Sequence, residues 1–212
     1  MKIFIPNRYV NDETLLQYAV RSWVEYCFDA EVVIVGPKPS FDYAADGAEI
    51  IETNEKYIHT LFMDLASKTE AFVWSEPNII VCNYIHPAHV MIPKRLNPHT
   101  PYLSCPQFFV SVNLRDELEQ LPENCTYEKI VHEYHAHCLY NIAGLTADWR
   151  TDNITLPMVS KTPDERKARS LAATKMFLWV GDGVSRSWLK NFLAPYFPDK
   201  QRETVNEGDE EG

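Results

Sequence analysis

The sequence predicts an α/β fold, a single domain with a mostly parallel sheet flanked by helices, and three observations carry that prediction. Short β-branched and aromatic runs at 2–6, 31–36 and 71–74 alternate with stretches of helical period. The run EVVIVG at 31–36 is apolar at nearly every position, as a strand must be when both faces of a parallel sheet are covered. The 212 residues, 45% hydrophobic and 24% charged, can bury one sizeable core and a cleft, whereas two domains would be cramped.

The elements follow in order. Lys2 to Pro6 is a strand stopped by Pro-Asn. A helix follows, capped by Asn11 or Asp12, with Leu16, Ala19, Val20, Trp23, Val24 and Cys27 at three- and four-residue spacings that line one face. Glu31 to Gly36 is a buried strand ending in Gly-Pro-Lys-Pro, and strand, helix, strand implies a right-handed crossover. The pattern repeats with a strand near Glu49 to Ile51, a helix from about Lys56 to Ser67 and a strand Ala71 to Trp74. Ile79 to Cys82 is apolar, and Tyr84 to Pro106, rich in proline and without period, is expected to be loop over a cleft. Phe108 to Val112 reads as a strand, Tyr127 to Tyr140 as a helix, and Met176 to Val180 as a late strand before Gly181-Asp182-Gly183. A helix begins near Ser185, and the acidic, apolar-poor residues 204–212 are expected to form a disordered tail.

Charge and cysteine usage narrow the function classes. Thirty acidic against twenty basic residues give a net charge of −10, a field that repels nucleic acid and anionic lipid. A polyanion partner would need a local basic strip, for which Lys94, Arg95, Arg166, Lys167 and Arg169 are the candidates. Five cysteines without a CxxC pair fit neither a disulfide framework nor a zinc ribbon, which points to a reducing, cytoplasmic location. No secretory leader pattern and no membrane-spanning apolar run are expected.

Ligands of doubly wound sheets bind outside the carboxyl ends of the strands. That rule nominates Pro6-Asn7-Arg8, Gly36-Pro37-Lys38, Ser75-Glu76-Pro77-Asn78 and Gly181-Asp182-Gly183, which together offer cations, carboxylates and amides. Such a set suits an anionic ligand bridged through a metal. Glu76 and Asn78 have the type and spacing to hold Mn²⁺ or Mg²⁺ while phosphate oxygens and waters complete the shell, although Ser-Glu-Pro-Asn also reads as a plain turn. The histidines of HEYHAH at 132–137 are spread around a helix and do not have zinc spacing. Trp23 belongs to the core. Trp74 and Trp179 at strand ends, with His86 and His89 in the proline-rich segment, are expected on the acceptor side.

The blocks IPNRY, LLQYAVRSW, VVIVGPKP, AFVWSEPNIIV, ITLPMV, MFLWVGDG and YFPDKQRET, in this order, cover most of residues 1–203. The chain resembles small bacterial and bacteriophage glycosyltransferases of the GT-A type, whose opening helix carries Tyr-x-x-Arg-Ser, matched here by Tyr18, Arg21 and Ser22. The resemblance implies a GT-A-like, Rossmann-type domain over residues 1–203 and transfer of a sugar from a nucleotide sugar, a UDP-sugar above all, to a hydroxyl acceptor. It implies nucleotide contacts at Pro6, Asn7, Arg8, Arg21, Gly36 and Lys38, and a metal at Glu76 and Asn78. Asp182 matches the family's late acidic position and is the candidate catalytic carboxylate. The acceptor implied is a hydroxylated base of bacteriophage DNA or a bacterial glycan. Glu76, Pro77 and Asn78 stand where the family carries two or three aspartates, and Thr155 where a histidine often stands. These departures leave open a catalytically inactive nucleotide-sugar-binding protein on the same fold. A nucleotidyltransferase ranks lower, because residues 6–14 contain no glycine for a phosphate loop.

Overall fold

The computed structural model describes residues 1–7, 12–55, 58–69, 71–86, 107–111, 164–174, 177–180 and 184–199, with isolated positions at 120, 122 and 124. In chain order the elements are β1 (Lys2–Pro6), α1 (Thr14–Tyr26), β2 (Glu31–Gly36), β3 (Ala48–Glu52), α2 (Ile58–Lys68), β4 (Ala71–Ser75), β5 (Ile79–Val81), β6 (Gln107–Ser111), α3 (Glu165–Thr174), β7 (Phe177–Trp179) and α4 (Arg186–Leu193). Five strands form one sheet in the order β3-β2-β1-β4-β6. β3, β2, β1 and β4 run parallel, and β6 joins β4 antiparallel. The fold is therefore α/β with a mostly parallel sheet, as the alternation of strand and helix patterns requires.

The core follows from the same patterns. Val32, Val33, Ile34 and Val35 of β2 are all buried, as are Ile3, Phe4 and Ile5 of β1 and Phe72, Val73 and Trp74 of β4. Alternate residues serve opposite faces of the sheet: Ile3, Ile5, Val32, Ile34 and Val73 join the main core cluster, while Phe4 meets Phe72 edge-on at 5.0 Å. The helix α1 lays Leu16, Ala19, Val20 and Trp23 into that cluster, and Cys27 at its carboxyl end joins them. It packs against β2, β5 and α4. Among the described residues no helix is long and apolar enough to cross a membrane.

Three features were not expected. β5 and β7 do not extend the main sheet: they pair with each other antiparallel, Ile80 opposite Leu178, so Ser75 to Asn78 carries the chain from one sheet to the next. The residue at the α1 cap position is Glu13, whose carboxylate makes no cap, while Asp12 Oδ1 accepts the Thr14 N–H at 3.1 Å. α3 has only Ala168 and Ala172 buried, a stripe too small to register as hydrophobic period. Its local signals were polar: Asp164 Oδ1 accepts the Lys167 N–H at 2.7 Å, and Glu165 pairs with Arg169 one turn on. The expected helix at Tyr127 to Tyr140 and the tail at 204–212 lie outside the described residues.

Two side chains of α1 tie the sheets to it. The Ser22 hydroxyl, fully buried, accepts the Val81 N–H at 3.0 Å and donates to the Ala19 carbonyl at 2.8 Å. The Trp23 indole donates to Ser75 Oγ at 3.0 Å. Ser22→Ala should cost about 1–3 kcal/mol, because it strands a buried backbone N–H at the edge of β5. Urea unfolding at unchanged m-value measures it, and a midpoint equal to the parent's would show that this bond does not hold β5 in place.

Candidate functional site at the carboxyl edge of the sheet

The parallel strands β1, β2 and β3 end at one edge, where the chain must find partners for backbone groups that leave the ladder. Asn7 supplies several. Its N–H donates to Val35 O at 2.8 Å and its side-chain amide to Pro37 O at 2.9 Å, so it crosslinks the ends of β1 and β2. Thr53 N–H donates to Gly36 O at 3.0 Å and draws in the end of β3. Asn7 is 3% exposed, and its Oδ1 has no hydrogen-bond partner among the described residues. Gly36 sits at φ +138°, and a Cβ there would lie 3.0 Å from Asn7 O. That closeness requires glycine.

β4 ends at the same edge. Phe4 lies opposite Trp74, so the chain leaving β1 at Asn7 and the chain leaving β4 at Glu76 emerge side by side. The Glu76 carboxylate accepts the Trp74 indole N–H at 3.1 Å, and Glu76 O accepts the Ile79 N–H at 3.1 Å, which closes the turn. Asn78 O accepts the Val180 N–H at 2.8 Å. The turn carrying Glu76 and Asn78 is thus fastened to the residue that leads into Gly181-Asp182-Gly183, about a hundred positions on in the sequence. Asn78 Oδ1 is buried and has no hydrogen-bond partner among the described residues.

The sequence candidates fare differently. Asn7, Pro6 and Gly36 stand together at this edge, with Glu76 and Asn78 beside them. Lys38 is exposed on the loop that follows Gly36, and no ion pair involves it among the described residues. Trp74 is fully buried and presents no surface to an acceptor; it meets the turn through its N–H on Glu76. His86 is exposed. Arg8, His89 and Asp182 lie outside the described residues, as does the Trp179 side chain. Of the basic strip, Arg166, Lys167 and Arg169 share α3, where Arg169 is engaged by Glu165, while Lys94 and Arg95 fall outside the described residues.

Arg21 does not join them. Its Nε meets both oxygens of Asp46, at 3.1 and 3.0 Å, and its Nη1 meets Asp199 at 2.5 Å, with the guanidinium over the Phe41 ring. Asp46 lies two residues ahead of Ala48, which pairs with Val32 at the opposite, amino end of β2. The expected convergence of Arg21 with the carboxyl-edge loops is therefore not what the fold builds. A cation 6% exposed must have counter-ions, and Asp46, 2% exposed, answers that need.

Burial pushes the Cys27 thiol up to about 11 and the Cys82 thiol up to about 12, so neither offers a thiolate nucleophile at neutral pH. Among the described residues no group of three or more His, Cys, Asp and Glu side chains comes together to hold a metal.

No family model matches the chain, and no curated protein matches it. Among solved structures it is similar to the glycosyltransferase GlyE of Streptococcus pneumoniae TIGR4, at 8% identity and a TM-score of 0.40. The likeness covers 62% of this chain and 42% of GlyE, so the chain spans less than half the length of that protein.

The Gly36 geometry makes a direct prediction. Gly36→Ala should destabilise the protein by about 1–3 kcal/mol, since the backbone must leave a conformation that L-residues rarely adopt and Asn7 must yield. Chemical denaturation checks it, and a variant as stable as the parent would mean that the Asn7 to Val35 contact is loose.

Proposed function

We propose that the protein is a glycosyltransferase that moves a sugar from a nucleotide sugar, a UDP-sugar by preference, to a hydroxyl acceptor. One observation supports this most. The Glu76 to Asn78 turn, where the sequence motifs nominate a metal, is hydrogen-bonded through Asn78 to Val180, two residues ahead of the nominated carboxylate Asp182. The Asn7 and Gly36 cluster borders that turn on one side and offers backbone surface against which a nucleotide can lie.

The chemical problem is charge. A departing nucleoside diphosphate gathers negative charge, and Arg8 and Lys38 are the cations assigned to its phosphates. Glu76 and Asn78 would hold Mn²⁺ or Mg²⁺, which supplies further stabilisation of that charge when bound. The residues present fit such an ion by type: both donors are hard oxygens, and the buried Asn78 Oδ1 lacks a donor. One carboxylate and one neutral amide make a weak site, so the diphosphate must complete it. Asp182 takes the proton of the acceptor hydroxyl in an inverting reaction, or positions the reacting groups in a retaining one. The acceptor is a hydroxylated DNA base or a glycan hydroxyl.

A second reading, a nucleotide-sugar-binding protein without activity, is favoured by Asn78 standing where an aspartate would supply charge. Incubation with UDP-sugars and Mn²⁺ separates the two, since a transferase releases UDP even when water is the acceptor.

Asp182→Asn should cut turnover about 100-fold with the melting temperature nearly unchanged. A fully active Asp182→Asn protein would remove the carboxylate from the chemistry. Restoring charge with Asn78→Asp should strengthen Mn²⁺-dependent UDP binding, and Glu76→Ala should weaken it. Calorimetric titration with and without Mn²⁺ decides this, and identical metal dependence in parent and variants would place the metal elsewhere.

A further inference from the structure

The turn between α1 and β2 lies at the amino edge of the main sheet, where Lys2 pairs in register with Glu31, and it carries an aromatic side chain that the core does not use. Phe28 is 55% exposed, and its ring meets that of Tyr84, 56% exposed, with centroids 4.7 Å apart and planes inclined at 44°. The two arrive from distant parts of the chain. Tyr26 O accepts the Ile85 N–H at 2.8 Å and fastens the Tyr84 segment to the end of α1. A single exposed aromatic is ordinary on a protein surface, whereas two in contact, each keeping about half its surface in water, form a ready contact area.

The free charges that flank the pair in the chain have one sign. Glu25, three residues before Phe28, and Asp29, directly after it, are both exposed, and neither joins an ion pair among the described residues. Of the cations here, Lys2 pairs with Glu31 at 3.0 Å, and the Met1 ammonium donates to Asp29 O at 3.1 Å. Asp29 stands at φ +61°, in the left-handed region where glycine is the least strained residue, so the turn keeps a carboxylate where backbone geometry alone favours glycine. These features select among occupants. An aromatic face carries the negative part of the ring quadrupole and attracts a cation laid over it, and carboxylates close by strengthen that attraction. Nucleic acid and anionic lipid meet Glu25 and Asp29 as like charges, on top of the net charge of −10. A second copy of the chain docked about a two-fold axis would set these carboxylates against their own copies.

We propose that the Phe28–Tyr84 pair, with Glu25 and Asp29, is a docking surface for a basic segment of a partner protein. An arginine or lysine of that segment lies over the rings while Glu25 and Asp29 meet its charge. The surface sits at the edge of the sheet opposite the nucleotide candidates, so it does not depend on the glycosyltransferase reading.

The test uses the whole chain, with fluorescein-labelled hexa-arginine as the probe and anisotropy at low and at physiological salt as the readout. Phe28→Leu and Tyr84→Leu keep apolar bulk and remove the π face. Each should weaken binding about threefold, and the two together about tenfold. Glu25→Gln combined with Asp29→Asn should weaken it about tenfold and flatten its salt dependence. Glu49→Gln combined with Glu52→Gln removes two exposed charges from β3 instead and should change binding by less than about twofold, which separates this surface from a diffuse pull toward an acidic protein. If a leucine variant does not fold, amide chemical shifts of the parent decide: movement on adding peptide confined to residues 25–29 and 83–86 supports the surface, and movement spread over other acidic positions, or none, overturns it. Leucine variants that bind as the parent does, or a parent that leaves hexa-arginine unbound at low salt, overturn it as well. So does salt-insensitive binding of cellohexaose that the leucine variants abolish, which assigns the rings to a glycan, or a dimer in sedimentation that the same variants dissociate, which assigns them to a second copy.

Discussion

Helix α1 is buried on most of its surface, and a buried helix cannot leave polar side chains to water. Glu13, Arg21, Ser22 and Trp23 therefore each have to find a partner on another element, and the partners they find set the position of the parts around them. Ser22 fixes β5 through Val81, Trp23 fixes the end of β4 through Ser75, and Glu13 fixes the connection after β2. Arg21 fixes the approach to β3 through Asp46 and the end of the described chain through Asp199. The desolvation cost of these groups is what turns an amphipathic helix into the frame of the molecule. Apolar burial supplies the driving force, but it is non-directional; the polar bonds choose the arrangement.

The same constraint commits several polar side chains to the fold itself. A charged side chain whose donors or acceptors are all engaged inside the protein has little left for a substrate. Glu13 is of that kind, and Arg21 is nearly so, with Nε and Nη1 on Asp46 and Asp199 and only Nη2 buried without a hydrogen-bond partner among the described residues. Asn7 and Asn78 each keep a buried acceptor, the amide oxygen, without a hydrogen-bond partner among the described residues. Both border the carboxyl edge, where the parallel strands release their last backbone groups. An uncompensated acceptor at such an edge is an unfavourable feature for stability alone.

The organisation of the edge also explains why its components are so far apart in sequence. The β1 and β2 ends are joined by Asn7 within the first forty residues, whereas the β4 turn waits for Val180 to complete it. The second, two-stranded sheet of β5 and β7 is the device that brings them together: antiparallel pairing of Ile79 with Trp179 sets the end of β7 beside the turn that begins β5.

The sequence alone determined the elements whose cause is local. The β-branched and aromatic run at Lys2 to Pro6, the apolar run at Glu31 to Gly36 and the stripe from Leu16 to Cys27 each state their own secondary structure, because composition and period are properties of a short window. It also named Asn7, Gly36, Glu76 and Asn78 as edge residues, since positions just after predicted strands fall at the carboxyl edge of any parallel sheet. The antiparallel placement of β6, the separate β5–β7 sheet and the pairing of Arg21 with Asp46 were decided only by the tertiary structure. So were the separate partners of Asp12 and Glu13, two adjacent carboxylates that look alike in sequence. Their partners Arg186, Ser40 and Tyr43 lie 27 to 174 residues away. No local pattern encodes which distant donor a buried acid will meet, because that depends on how the elements pack, and packing is settled only when the whole chain has closed on its core.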